Sequence, residues 1–423
     1  MGFCRTKQGR RSSKNPRRSR ESRRTMRKSF LREMFSNKRV LVVDMTHGGR
    51  TLARAIEEYF DAEVLRYDLY GVDKGCEIPE FDICISPVHS PVLNPILTRD
   101  PRVISHHSAV GYILRRLKEQ VGCDIIEVTG TKGKTSVATM LTHILSSKMQ
   151  VLSSTSEGVM YASPGGGTAV LKVPGSITPA HALDVMDMAM CKDLAVDVAL
   201  FEVSLGFTGA AKLNVLTSLE GDYRIAGGML KASQAKRYTM KNLSGRVVDK
   251  GVFDRLKTSF FGERHKKNIN LAATAALHLG IAEDEIRRCV LSLPQIRSRM
   301  EVKRGGNWIV IDDANSAFDA FNLRAGIEEI MAVDGERIVI LGGSRKGSCS
   351  SLDIEAVVRV IDVYRDRVRF YLTGEIGEDL RRLGVDCPLI EGDPDGMVGW
   401  VMASSSGNKG VILITGSSGG RSG

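Results

Sequence analysis

The sequence predicts an α/β protein built as three units, with a strand–glycine-loop–helix unit at its centre and a Rossmann-like unit on either side. Three observations carry this. Near the middle of the chain, the glycine-containing stretch 127–136 joins an apolar run to a helical repeat. On both sides of it, apolar runs of strand length alternate with helical segments, the pattern of parallel sheets covered by helices. A chain of 423 residues that is 42% hydrophobic is long enough for two or three cores.

The chain opens on a basic tail, 1–37. Residues 1–40 hold 15 Lys and Arg against only Glu21 and Glu33, a net +13. The rest, with 45 basic against 47 acidic residues, is close to neutral, so the overall +11 belongs to the tail and not to a nucleic-acid-binding body. Rich in Arg, Ser and Lys and poor in apolar residues, the tail is expected to be disordered and dispensable, with Met26 and Met34 as later starts. It has no apolar segment of signal-peptide type, and no run approaches a membrane span. The eight cysteines show no C-x-x-C pair and no metal spacing, which predicts reduced thiols in a cytoplasmic protein.

In the first unit, 38–120, strands are expected over 39–44, 64–68 and 81–85, with a helix over 51–60. Ligands in such sheets sit beyond the carboxyl ends of the strands. His47, Gly48 and Gly49 lie at one such end, and His89, His106 and His107 follow other strands. Three readings compete: a metal site, recognition of an acidic substrate, or histidines bonded to loop backbone. Zn²⁺ usually takes a closed set of ligands at short spacing, and none is evident. Donation to substrate carboxylates suits these positions better.

The second unit, 121–298, carries the central motif. Asp124-Ile125-Ile126 reads as a buried strand, and Val137, Met140, Leu141, Ile144 and Leu145 repeat at helical spacing. Between them lies Val128-Thr129-Gly130-Thr131-Lys132-Gly133-Lys134-Thr135-Ser136. Its glycines let backbone N–H groups converge on an anion at a helix N-terminus. Lys134 can reach the terminal phosphates of a nucleotide and Thr135 can ligate Mg²⁺, which makes this a P-loop ATP-binding unit. Further strands are expected over 151–156 and 196–204. Glu202 interrupts the second of these near its carboxyl end. A buried carboxylate is costly unless paired, and beside a P-loop its economical partner is the nucleotide's Mg²⁺; a core ion pair with Arg or Lys is the alternative. In the third unit, 299–423, a strand over 308–315 ends in two acids and an amide, and strands over 337–341, 368–372 and 411–415 each run into a polar or glycine-rich loop, as in a second doubly wound domain.

The shortened T-G-T-x-G-K-T-S form of the loop resembles the Mur ligase superfamily, ATP-dependent carboxylate ligases of three-domain architecture, with a central P-loop ATPase domain flanked by two Rossmann-like domains. The resemblance runs in order to the end of the chain. It implies Mg²⁺ binding at Glu202. It aligns 213–223 with the strand ending T-N-I-x-x-D-H, where Tyr223 replaces the His. Lys236 resembles the lysine that many such ligases carbamylate, and Asn270 the adenine-contacting Asn of a helix start; a solvated lysine and a helix cap are the alternatives. Arg299 resembles the hinge arginine that touches nucleotide, Asp313 and Asn315 residues that grip ribose and substrate, and 416–421 the family's K-G-S-R-G ending. The catalytic set implied is Lys134, Glu202 and Lys236.

In the first unit, T-H-G-G, V-H-x-P-V-L-x-P (88–95) and I-S-H-H-x-A-V (104–110), with D-Y-x-I-A-G-G (222–228) further on, look like the methanogen branch of the superfamily, the coenzyme F430 synthases. That branch implies ATP and Mg²⁺ as cofactors and a nickel tetrapyrrole carboxylate as small-molecule substrate, with no role for nucleic acid or membrane and a monomer or homodimer. An amide ligase joining an amino acid to a carboxylate and a nucleotide-gated binding protein without chemistry stay open.

Overall fold

The computed structural model describes residues 34–417, apart from 242, 316–317, 345–351, 406 and 408. The basic tail up to residue 33, the expected later start at Met26, and most of the 416–421 ending therefore lie outside the described residues, while Met34 lies within them.

The first sheet is parallel throughout, ordered β2-β1-β3-β4, from β1 (Arg39–Val43), β2 (Glu63–Tyr67), β3 (Ile83–Ser86) and β4 (Val103–Ser105). Helix α1 (Arg50–Tyr59) follows β1, and α2 (His106–Val121) leaves β4 directly, capped by Ser105, whose Oγ accepts from the Ser108 amide. The strand β4 emerges where only a strand-end loop was expected.

The central sheet is ordered β13-β10-β5-β9-β6-β7-β8. Its parallel part comprises β5 (Asp124–Thr129), β6 (Val151–Thr155), β9 (Val198–Glu202), β10 (Leu213–Leu216) and β13 (Arg246–Val248). Between β6 and β9 the chain adds β7 (Gly158–Ser163) and β8 (Gly167–Lys172), an antiparallel extension absent from the sequence reading. The exposed β8 has no buried face to pattern it. Helices α3 (Lys134–Leu145), α4 (His181–Lys192), α5 (Ala232–Met240), α6 (Glu263–His278) and α7 (Glu283–Leu291) complete this region, with a two-stranded β11–β12 hairpin (Arg224–Ile225 and Leu230–Lys231) before α5.

The third sheet, β14-β15-β18-β16-β17, is parallel except for its edge strand β14 (Glu301–Gly305). Its other strands are β15 (Trp308–Ala314), β16 (Glu336–Gly343), β17 (Arg369–Thr373) and β18 (Gly410–Ser417), and α8 (Ala320–Ile330), α9 (Ile354–Tyr364), α10 (Gly374–Arg382) and α11 (Pro394–Ser404) accompany them.

Cores form on both faces of the third sheet and on the α3–α6–α7 face of the central one. The first sheet has a small core of its own on one face, from Leu41, Val43, Tyr67, Leu69, Cys84 and Val103, and shares the other. One cluster runs from Val40, Leu52 and Leu114 through α2 and α4 to Leu152, Ala199 and Phe201 of the central sheet. Polar contacts reinforce it where Asp184 of α4 meets Arg54 and Thr51, and Asp187 meets the Tyr59 hydroxyl. The described cysteines Cys76, Cys84, Cys123, Cys191, Cys289 and Cys387 are free thiols. No described helix is long and apolar enough to cross a membrane.

Leu114 sits fully buried in the shared core, so Leu114→Ala should cost about 2–5 kcal/mol. Urea unfolding followed by tryptophan and far-UV signals checks this.

Candidate functional site

The register of the central sheet builds the site. β5 pairs with β9 so that Val128 lies opposite Glu202, which brings the loop after one strand beside the carboxylate ending the other. Gly130 turns out of β5 at φ 154°, and a Cβ there would lie 2.0 Å from Thr217 Oγ1, so only glycine fits. The loop is pinned from below, since the Thr131 amide donates to Ser218 O at 2.8 Å. Gly133 then leads into α3, which begins at Lys134.

Glu202 is buried, and its partners are a hydroxyl and an amide. Thr135 Oγ1 donates to Oε1 at 3.1 Å and the Ser156 amide donates to Oε2 at 3.1 Å. A buried carboxylate beside a P-loop hydroxyl is a donor set suited to a hard divalent cation, so the chain's own residues fit Mg²⁺. Neither contact is the core ion pair that sequence left open.

These residues open onto a cavity of about 530 Å³ that reaches from the P-loop to the third sheet. Thr131, Lys132, Gly133, Lys134, Thr135 and Ser136 line one side; Arg299, Asp313 and Asn315 line the other. Lys132 Nζ spans the two sides, donating to Asp319 Oδ2 at 2.6 Å. Arg299 lies 3.3 Å from Glu157 Oε1, and its carbonyl bonds His265 Nε2 at 2.7 Å. Burial pushes the Asp313 carboxyl up to about 6, against the pull of Arg264, 3.8 Å away, and of Arg299. Asn315, expected on the substrate side, donates to Ser298 O and Asp313 O within this same cavity wall.

Asn270 does not meet its expectation. Its side chain is spent on the backbone of Phe253, donating to the carbonyl at 2.6 Å and accepting from the amide at 3.1 Å. Asn268, two residues earlier, lines the cavity instead, with Lys267 beside it.

Lys236 is no solvated helix lysine. It is fully buried on α5, its Nζ has no hydrogen-bond partner, and the Tyr223 ring lies 5.6 Å away. Burial and the nearby Lys134 push its ammonium down to about 7, with Asp222 opposing them. Asp222 in turn accepts from the Ser233 amide at 2.9 Å, at the start of α5.

The four histidines of the first unit divide. His107 turns to the central sheet, where its Nε2 bonds Ser204 O at 2.8 Å. His47 and His89 converge on Asp44, a residue the sequence reading did not single out: His47 Nδ1 and His89 Nε2 lie 2.7 and 3.0 Å from Asp44 Oδ2. His106 is buried nearby, and burial pushes its imidazole down to about 3. Short spacing was thus a poor guide, because the third partner comes from another strand end. Gly48, at φ 95°, brings this turn against the 176–180 segment, where a Cβ would lie 3.1 Å from Thr178 Oγ1, and Gly49 completes the turn into α1. Ile177 of that segment lines the cavity and accepts from the Ser204 amide at 2.8 Å. The histidine turn therefore stands next to the cavity wall.

The Mur ligase middle domain family model matches residues 128–220, the stretch that holds both the loop and Glu202. Over that stretch the chain is similar to the middle domain of Mur ligases. Beyond that stretch, it is similar to the coenzyme F(430) synthetase of Methanosarcina acetivorans, 25% identical over 85% of this chain and 94% of that one. It is likewise similar to the coenzyme F(430) synthetase of Methanocaldococcus jannaschii, 25% identical over 81% and 92%. Among solved structures, the bifunctional folylpolyglutamate synthase/dihydrofolate synthase of Yersinia pestis, complexed with AMPPNP and a Mn ion, shares the fold at TM-score 0.54 and 15% identity, over 76% of this chain and 92% of that one. This Mur ligase fold places the P-loop in its seven-stranded sheet.

Glu202→Gln should retain the fold but lose Mg²⁺-dependent ATP affinity by about 10-fold or more, because the charge that faces the cation is gone. Calorimetric titration with and without Mg²⁺ checks it. Lys236 has its pKa lowered, so the buried amine is neutral above about pH 7 and reactive toward CO₂ there, and charged and inert below. A carbamate signal in ¹³C NMR with labelled bicarbonate should appear above that pH and vanish below it and in Lys236→Arg.

Proposed function

We propose that this chain is an ATP-dependent cyclo-ligase, a coenzyme F430 synthetase that closes the last carbocycle of a nickel tetrapyrrole with release of ADP and phosphate. The observation that carries the ligase reading is the pairing of the P-loop hydroxyl Thr135 with the buried Glu202 at the mouth of one cavity shared with Arg299 and Asp313. The likeness to two F(430) synthetases over most of both chains supports the substrate class.

A carboxylate is a poor electrophile, and phosphorylation gives it a leaving group. The loop amides and Lys134 position the transferring phosphoryl group and offset its charge. Mg²⁺, when bound at Thr135 and Glu202, supplies Lewis-acid charge neutralisation between the phosphates. Asn268, beside Gly133, and Arg299, across the cavity, hold the nucleotide, and Asp313 holds its ribose. Lys236, as carbamate, would turn a cationic group near Lys134 into an anionic one. The activated propionate then closes onto its own macrocycle, so no protein nucleophile is required. We read residues 38–120 as the substrate domain, 121–298 as the ATP domain and 299–423 as the closing domain, in a cytoplasmic enzyme. Closure of the third against the second excludes the water that would hydrolyse an acyl phosphate.

Incubation of the protein with ATP, Mg²⁺ and the open-ring nickel tetrapyrrole should give one ADP per product, with a product lighter by one water. A product heavier by an amino acid would show an amide ligase instead. Lys134→Ala should reduce turnover by about 100-fold or more while leaving the far-UV spectrum unchanged.

A further inference from the structure

Asp44, His47 and His89 offer three ligand atoms that all lie within 4.8 Å of one another, the one such cluster among the described residues. They come from three places: the end of β1, the turn that follows, and the loop after β3. We propose that this trio is a binding site for a divalent transition-metal ion, separate from the Mg²⁺ site at the P-loop.

Several features make it a built site. Asp44 is buried, and the Thr46 and His47 amides donate to its Oδ1 at 2.9 and 3.1 Å. The carboxylate is thereby oriented with Oδ2 turned toward both imidazoles, as hydrogen bonds to the far oxygen orient a ligating carboxylate. Asp44 sits at φ 72°, a conformation uncommon for residues other than glycine, though aspartate is among those that adopt it most readily. His106 supplies a separate observation. It is 4% exposed, its Nε2 has no hydrogen-bond partner, and it lies close enough to interact electrostatically with Asp44, His47 and His89. The unpartnered Nε2 of this buried imidazole thus lies near the trio without belonging to its set of converging ligand atoms.

Metal–ligand bonds of about 2.0–2.2 Å place neighbouring donor atoms roughly 3 Å apart. The observed 2.7 and 3.0 Å from Oδ2 to the two ring nitrogens need only a small opening. Two imidazoles and one carboxylate favour the borderline cations Zn²⁺, Co²⁺ and Ni²⁺ over Mg²⁺ or Ca²⁺. His47 is about half exposed, so the site is closed on the Asp44 side and open on the other. A three-ligand site with an open face keeps a position for water or for an anionic oxygen of a bound ligand. The claim stands apart from the ligase reading, because it concerns the ion alone.

The test uses the full chain stripped of metal and titrated with Co²⁺, read by visible ligand-field absorption and calorimetry. One equivalent should bind, with bands that Zn²⁺ displaces. His47→Ala and His89→Gln should each weaken binding by about 10-fold or more, while a thermal melt without metal confirms that each variant is folded. Glu202→Gln should bind Co²⁺ at this site as the wild type does. Failure of the wild type to take up one equivalent overturns the proposal, as does undiminished uptake by either folded histidine variant.

Discussion

A carboxylate buried at the end of a strand, opposite the hydroxyl of a glycine loop on the next strand, sets the terms for this molecule. Glu202 cannot sit at that depth on hydrophobic grounds, since desolvating its charge is costly. The contacts that hold it, from Thr135 and the Ser156 amide, are also those that would orient it toward a cation. β5 and β9 must therefore be neighbours, and β6 must lie on the other side of β9 so that the Ser156 amide follows it. The order of the central sheet follows from that requirement.

The outer units are fastened to this centre by different means. The first is joined by apolar burial through α2 and α4, reinforced by His107 on Ser204 O, a contact two residues beyond Glu202. Such a continuous core favours a fixed relation between the histidine turn and the phosphate loop. The third unit meets the loop and its surroundings through long polar side chains, Lys132 to Asp319 and Arg299 to Glu157, across a cavity. Polar links of this kind exchange readily with water and ligand, so this is the side where closure costs least.

The parts of the site that sequence revealed are those encoded locally. A strand, a glycine loop and a helix occupy consecutive residues, so 124–145 could be read directly, as could the apolar strand that ends in Glu202. Asn270 failed because two residues on a helix differ by about 200° in direction, and matching by residue type alone cannot choose between Asn268 and Asn270. Asp44 was invisible for another reason: an acid after a strand reads as an ordinary turn residue, and its meeting with His89 depends on β1 and β3 lying side by side. The β8 strand left no signal because neither glycine-rich turns nor solvent-facing strands carry an apolar period.

Two groups near the phosphate loop are held away from their ordinary charge states. Lys236 is held near neutrality at about 7, partly because Lys134 is close, and Asp313 is raised to about 6. An anionic triphosphate on the loop acts on both in the same direction, since negative charge favours the protonated form of either group. It draws Lys236 toward ammonium unless that amine has already become a carbamate, and it draws Asp313 toward the neutral acid, which donates a hydrogen bond where the carboxylate only accepts. A cation at Glu202 acts oppositely on Lys236. Bound nucleotide and metal would therefore act on both of these protons. The buried lysine is consequential for the same reason as the buried glutamate: each places a polar group out of water beside the phosphate loop.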